Sequence, residues 1–165
     1  MSVKKKDRHV SKQEATQKSR KLVHQLLIIT RPEMYDKTGK VIRKAGLLGK
    51  DQPFQVFGLE ILHSAKLIHS YCYQASQINL KDKATLDKRN EYHKKALEQC
   101  YSILRQLDLC IFEYAQKSKK KRKSFGYVAY LTSDTVSSIQ DRLNRDKLIY
   151  EQGYKEKPVK VRRYR

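Results

Sequence analysis

Apolar residues in this chain recur at alternating steps of three and four. That spacing marks one face of a helix, because an α-helix turns once per 3.6 residues. The clearest run is Asp87 to Tyr114, where Ala96, Cys100, Ile103, Leu107, Cys110 and Tyr114 align and Leu97, Leu104 and Ile111 widen the stripe. Lys88, Arg89, Lys94, Lys95, Glu98 and Arg105 are assigned to the opposite, solvated face. A helix with this much apolar surface needs partners, and the pattern predicts three. The first spans about 11–30, opens on Ser11 and Glu14 in capping-box spacing, and carries Leu22, Val23, Leu26, Leu27 and Ile29. It stops at Arg31-Pro32, since the residue before a proline is pushed out of the helical region. The second spans about 52–79, with Asp51 as a cap, Pro53 in the first turn, and Gly58, Ile61, Ala65, Ile68, Cys72 and Ala75 as its stripe. The long helix itself is expected over about 86–116. The last, about 125–152, opens at Phe125, carries Ala129, Thr132, Val136, Ile139, Leu143 and Asp146, and closes at Gly153.

Four such helices predict an all-α fold, an antiparallel four-helix bundle over 11–153 with basic loops and with basic tails at 1–10 and 154–165. The connection from Glu33 to Gln52 has a turn signal at Asp36-Lys37-Thr38-Gly39, and Val41 and Ile42 suit a short strand or hairpin. The apolar arcs of the second and third helices are broad enough that a homo-oligomer is expected.

Charge changes the picture most. Lys and Arg number 37 against 17 Asp and Glu, a net +20. Such self-repulsion costs stability, and the usual counterweight is a polyanion, most often nucleic acid. No apolar run approaches the ~20 residues that span a bilayer, and the basic N-terminus has no apolar core, so no membrane partner and a cytoplasmic location are expected. Cys72, Cys100 and Cys110 form no CxxC pair and fall on apolar stripes, which predicts small buried hydrophobes.

Catalytic signals are thin. Glu60-Ile61-Leu62-His63 has the Glu-x-x-His form of di-iron bundles, but the second copy those sites need is missing. Arg20–His24 and Arg89–His93 approach the Arg/His pair of HEPN-type helical ribonucleases, with three intervening residues where that family has four to six. Both pairs are read as polar residues on a solvated basic face. With no phosphate loop and no zinc signature, no catalytic residue, metal or cofactor is expected.

The working part is therefore expected to be basic surface: Lys119, Lys120, Lys121, Arg122 and Lys123 first, then Arg43, Lys44, Lys94, Lys95, Arg142 and Arg145. Cations neutralise phosphates and release counterions, and aromatic neighbours stack on unpaired bases. Tyr35, Tyr127 and Tyr164 are candidates for stacking, whereas Phe125 is assigned to the core.

Two segments also carry a family likeness. Phe57 to Asn79, ending Ala-Ser-Gln-Ile-Asn, and Tyr92 to Tyr114, with His-Lys-Lys-Ala-Leu-Glu-Gln-Cys and Leu-Arg-Gln-Leu-Asp-Leu, resemble the accessory variability proteins (Avd) of diversity-generating retroelements. More distantly they resemble the four-helix-bundle proteins of ribosomal-RNA intervening sequences. The resemblance implies a ring-shaped homopentamer that binds the element's reverse transcriptase, its template RNA and cDNA, and serves mutagenic cDNA synthesis without catalytic residues of its own. The chain departs from that pattern in its longer Arg31–Asp51 connection and its basic tails. The rival readings are a helical-bundle ribonuclease or toxin using Arg89 and His93, and a structural protein associated with ribosomal RNA.

Overall fold

Burial of the predicted stripes against one another organises the chain. A computed structural model describes residues 13–46 and 52–153, with the side chains of 52–56 and 114 left out. The elements run α1 (Glu14–Thr30), a hairpin of β1 (Met34–Tyr35) and β2 (Val41–Arg43), α2 (Gln52–Gln77), α3 (Lys83–Cys110), a π-helical segment Ile111–Ala115, and α4 (Lys119–Glu151). The short connections 78–82 and 116–118 leave α3 no option but to fold back on α2, and α4 on α3. Packing of α1 on α2 and α4, and of α3 on the same two helices, completes the four-helix arrangement.

The core is contributed by all four helices: Leu22, Leu26 and Ile29 from α1; Ile61, Ala65, Ile68 and Cys72 from α2; Ala96, Cys100, Ile103 and Leu107 from α3; Phe125, Val128 and Ile139 from α4. The stripes expected on α2 and α3 are buried where described. On α4 the buried line is displaced. Ala129, Val136 and Leu143 are only half-buried, and the buried positions are Phe125, Val128, Leu131, Thr132, Thr135, Ser138, Ile139 and Asp146. Threonine tolerates this because its hydroxyl bonds back into the helix: Thr132 Oγ1 donates to the Val128 carbonyl and Thr135 Oγ1 to the Leu131 carbonyl, both at 2.8 Å.

Helix ends follow local chemistry. Asp82 caps α3, accepting from the Thr85 N–H at 2.8 Å while the Asp82 N–H donates to Thr85 Oγ1 at 3.0 Å. This box sets the start of α3 at Lys83, a turn earlier than the apolar pattern implies. Gly153, at φ +70°, donates to the Tyr150 carbonyl and closes α4 as expected. Ser11, Asp51 and both basic tails lie outside the described residues.

Candidate nucleic-acid interface

The lysine run occupies a different place from the one the sequence pattern predicts. That pattern puts it in the connection after the third helix, where cations meet the negative end of a helix dipole. Instead α4 begins at Lys119, capped by Ser118, whose Oγ accepts from the Lys121 N–H at 3.3 Å. Lys119, Lys120, Lys121, Arg122 and Lys123 therefore form the opening of α4, with no acidic residue in its first turn. The helix has its positive end here, so these cations repel both one another and the dipole, a cost that an external anion would offset. A serine cap and continuous helical propensity of Lys and Arg carry the helix back through the run.

Tyr127 and Tyr130 follow on the same helix. Their rings lie near-parallel, 16° apart with centroids 6.4 Å apart, and are 49% and 63% exposed. Phe125 is buried in the core, in agreement with its assignment there.

The hairpin stands at the same end of the bundle, because α1 ends where α4 begins. Its turn is rigid: Asp36 accepts from the Thr38 and Lys40 N–H groups at 2.8 and 2.9 Å and from the Thr38 hydroxyl at 2.6 Å. These bonds hold the Asp36 carboxyl below its ordinary value, the hydroxyl contributing most. Gly39, at φ +81°, completes the turn. The base is tied down by Gly46, whose N–H donates to the Arg31 carbonyl at 2.9 Å. Arg43 and Lys44 are exposed on this hairpin, and exposed Tyr35 donates to Glu33 at 2.6 Å.

The remaining candidates are scattered. Arg145 is exposed on α4, about 33 Å along the helix from Lys123 at 1.5 Å per residue. Lys94 is exposed on α3. Lys95 pairs with Glu91 at 2.7 Å, which raises its pKa, and lies 5.8 Å from the Tyr92 ring centre. Arg142 is no surface cation. Its Nε lies 2.9 Å from Asp146 Oδ1, and its side chain is 15% exposed. One end of the bundle thus gathers Lys119–Lys123, Arg43 and Lys44, and the structure does not bring the other four candidates to it.

Arg89 and His93 also depart from expectation. Neither is on a solvated face; both are fully buried. Arg89 Nε lies 3.1 Å from Oδ2 of Asp146, so guanidinium groups from α3 and α4 converge on one buried carboxylate. Neither His93 ring nitrogen has a hydrogen-bond partner among the described residues. Burial first, then the positive fields of Arg89 and Arg142, depress the His93 pKa to about 4, which keeps the ring neutral. In this packing neither side chain can touch a phosphodiester, so the geometry lends the ribonuclease reading no support. The periodicity held a signal for this layer. Counting back from Ala96 by three, four and three lands on His93, Arg89 and Leu86, and counting on from Ile139 by three and four lands on Arg142 and Asp146. Restricting the third helix's stripe to apolar types ends it early, whereas the stripe expected on the last helix already reaches Asp146 and misses only Arg142.

The cysteines behave as small core residues: burial pushes the Cys72 and Cys100 thiols up to about 12 and that of Cys110 to about 11. Among the described residues no group of three or more His, Cys, Asp or Glu side chains is placed to hold a metal ion, and no helix is long and apolar enough to cross a membrane. No family model, no curated protein and no solved structure matches the chain.

Proposed function

We propose that this protein is a non-enzymatic nucleic-acid-binding factor whose basic end, built from the start of α4 and the hairpin, holds the phosphate backbone. The observation that carries it is the placement of Lys119–Lys123 at the start of α4, whose first turn holds no acidic residue, a self-repelling arrangement that a polyanion would offset. The resemblance in Phe57–Asn79 and Tyr92–Tyr114 sharpens the proposal. On it, the partner is a cytoplasmic reverse transcriptase, the ligands are template RNA and cDNA of a diversity-generating retroelement, and the protein acts as a homopentameric ring. Exposed Leu27, Leu59, Leu109 and Phe112 supply apolar surface for such an assembly.

Fluorescence anisotropy with labelled RNA across a salt series tests the binding step. Replacing Lys119–Lys123 by glutamine is expected to weaken binding and to flatten the dependence of log K on log salt by nearly one unit for each phosphate no longer neutralised. Unchanged affinity and slope in that variant would refute the assignment. Co-purification of a reverse transcriptase from the native host tests the partner, and molar mass by light scattering tests the ring.

A further inference from the structure

On one face of α4, Lys120, Lys123, Tyr127 and Tyr130 succeed one another at steps of three, four and three. Both cations are exposed, both rings are about half-exposed, and the rings are near-parallel. The next position on this face, Asp134, is bound to Lys18 of α1 at 2.8 Å, and Lys18 also holds Glu14 at 2.8 Å. An acidic, already-paired cluster therefore closes the stripe at one end, and the helix start closes it at the other. From Lys120 to Tyr130 the stripe is about 15 Å long at 1.5 Å per residue.

Two adjacent tyrosines with about half of each ring left in water offer a flat aromatic surface for something to cover. The cations decide what that is. A partner that satisfies flat aromatic faces and a row of ammonium groups at once is a strand whose bases are unpaired and whose phosphates run alongside. A duplex presents its phosphates but hides its base faces in the stack. We infer that the Lys120–Tyr130 face of α4 is a stacking platform for single-stranded nucleic acid, in which Tyr127 and Tyr130 hold unpaired bases while Lys120 and Lys123 hold the flanking phosphates. The inference rests on the nucleic-acid-binding function proposed above and adds to it the strandedness of the ligand. At the ~3.4 Å per nucleotide of a stacked strand, the platform seats about four nucleotides.

The test compares one labelled 20-mer, as single-stranded RNA, as single-stranded DNA, and as a perfect duplex, against full-length protein. Tyr127→Ala/Tyr130→Ala is expected to weaken single-strand binding at least tenfold, to leave duplex binding within twofold, and to leave the salt slope unchanged. Tyr127→Phe/Tyr130→Phe is expected to retain binding, since a phenyl face stacks as a phenol face does. The chain has no tryptophan, so Tyr130→Trp introduces a single reporter whose emission should be quenched by poly(U) on stacking. Equal losses on single strand and duplex, or no quenching, would overturn the platform while leaving nucleic-acid binding intact. Failure of the wild type to bind any of the three probes would remove both. If the alanine variant binds normally but loses oligomer mass by light scattering, the face belongs to a second copy of the chain and the inference is wrong.

Discussion

The buried layer between the start of α3 and the end of α4 makes the protein acid-sensitive, chiefly through one residue. His93 is neutral in the fold with a pKa of about 4 against an ordinary 6.5; besides burial, the charges acting on it are Arg89 on its own helix and Arg142 on α4, both of which are paired with Asp146. The unfolded chain takes up a proton near pH 6.5 and the folded chain refuses it until about pH 4. Between these values the unfolded state binds more protons, so stability falls as pH falls. The contribution is complete above pH 6.5 and gone below about 4. At about 1.4 kcal/mol per pH unit, that gap amounts to about 3 kcal/mol, a large share of the ~5–15 kcal/mol that holds a typical domain folded. His93→Met removes the titration. It sacrifices no hydrogen bond among the described residues, and its flexible side chain suits the vacated space. Its expected cost at pH 7.5 is under about 1.5 kcal/mol. Urea midpoints taken at half-unit steps from pH 7.5 to 4 should fall steeply for the wild type and more gently for the variant. His69, whose pKa burial and then Arg20 lower, contributes a smaller slope in the same direction to both proteins and cancels in the difference. Parallel pH profiles for the two proteins would refute the reasoning and assign the acid lability to carboxylates.

The same layer predicts that Asp146→Asn, which leaves two guanidinium groups around an uncharged amide, costs about 3–5 kcal/mol in chemical denaturation, whereas Arg89→Met/Asp146→Leu recovers much of the deficit. At the hairpin base, a Cβ on Gly46 would collide with the Ile28 and Ile29 carbonyl oxygens, so Gly46→Ala must shift backbone. It is expected to lower the melting temperature, at a cost of about 1–3 kcal/mol. The raised thiol pKa values predict that Cys72, Cys100 and Cys110 react with a thiol reagent at pH 8 only after denaturant is added; prompt labelling of the native protein would contradict their burial.

Helix number and faces could be read from the chain because burial at 3.6-residue spacing leaves a periodic trace, and Ile61, Ile68, Ile103 and Leu107 are buried where that trace puts them. The hairpin was legible too, since Asp36 to Gly39 encodes its own turn through bonds no more than four residues apart. Those features are local, and local chemistry suffices to specify them. Periodicity applied only to apolar types misses Arg89, His93 and Arg142, although the stripe expected on the last helix does include Asp146. Arg89, His93, Arg142 and Asp146 occupy core register, and what makes a charge tolerable there is an opposite charge 57 positions away, Asp146 for Arg89. Likewise composition raised the expectation of a polyanion-binding surface and helical spacing put Tyr127 beside Tyr130, yet only the packing of α4 against α1 and α3 decided which cations share an end of the bundle and which rings stay exposed. Sequence spacing determines what a single helix presents; the folded arrangement determines what it meets, because desolvation and Coulomb energies depend on distances in space and not on separation along the chain.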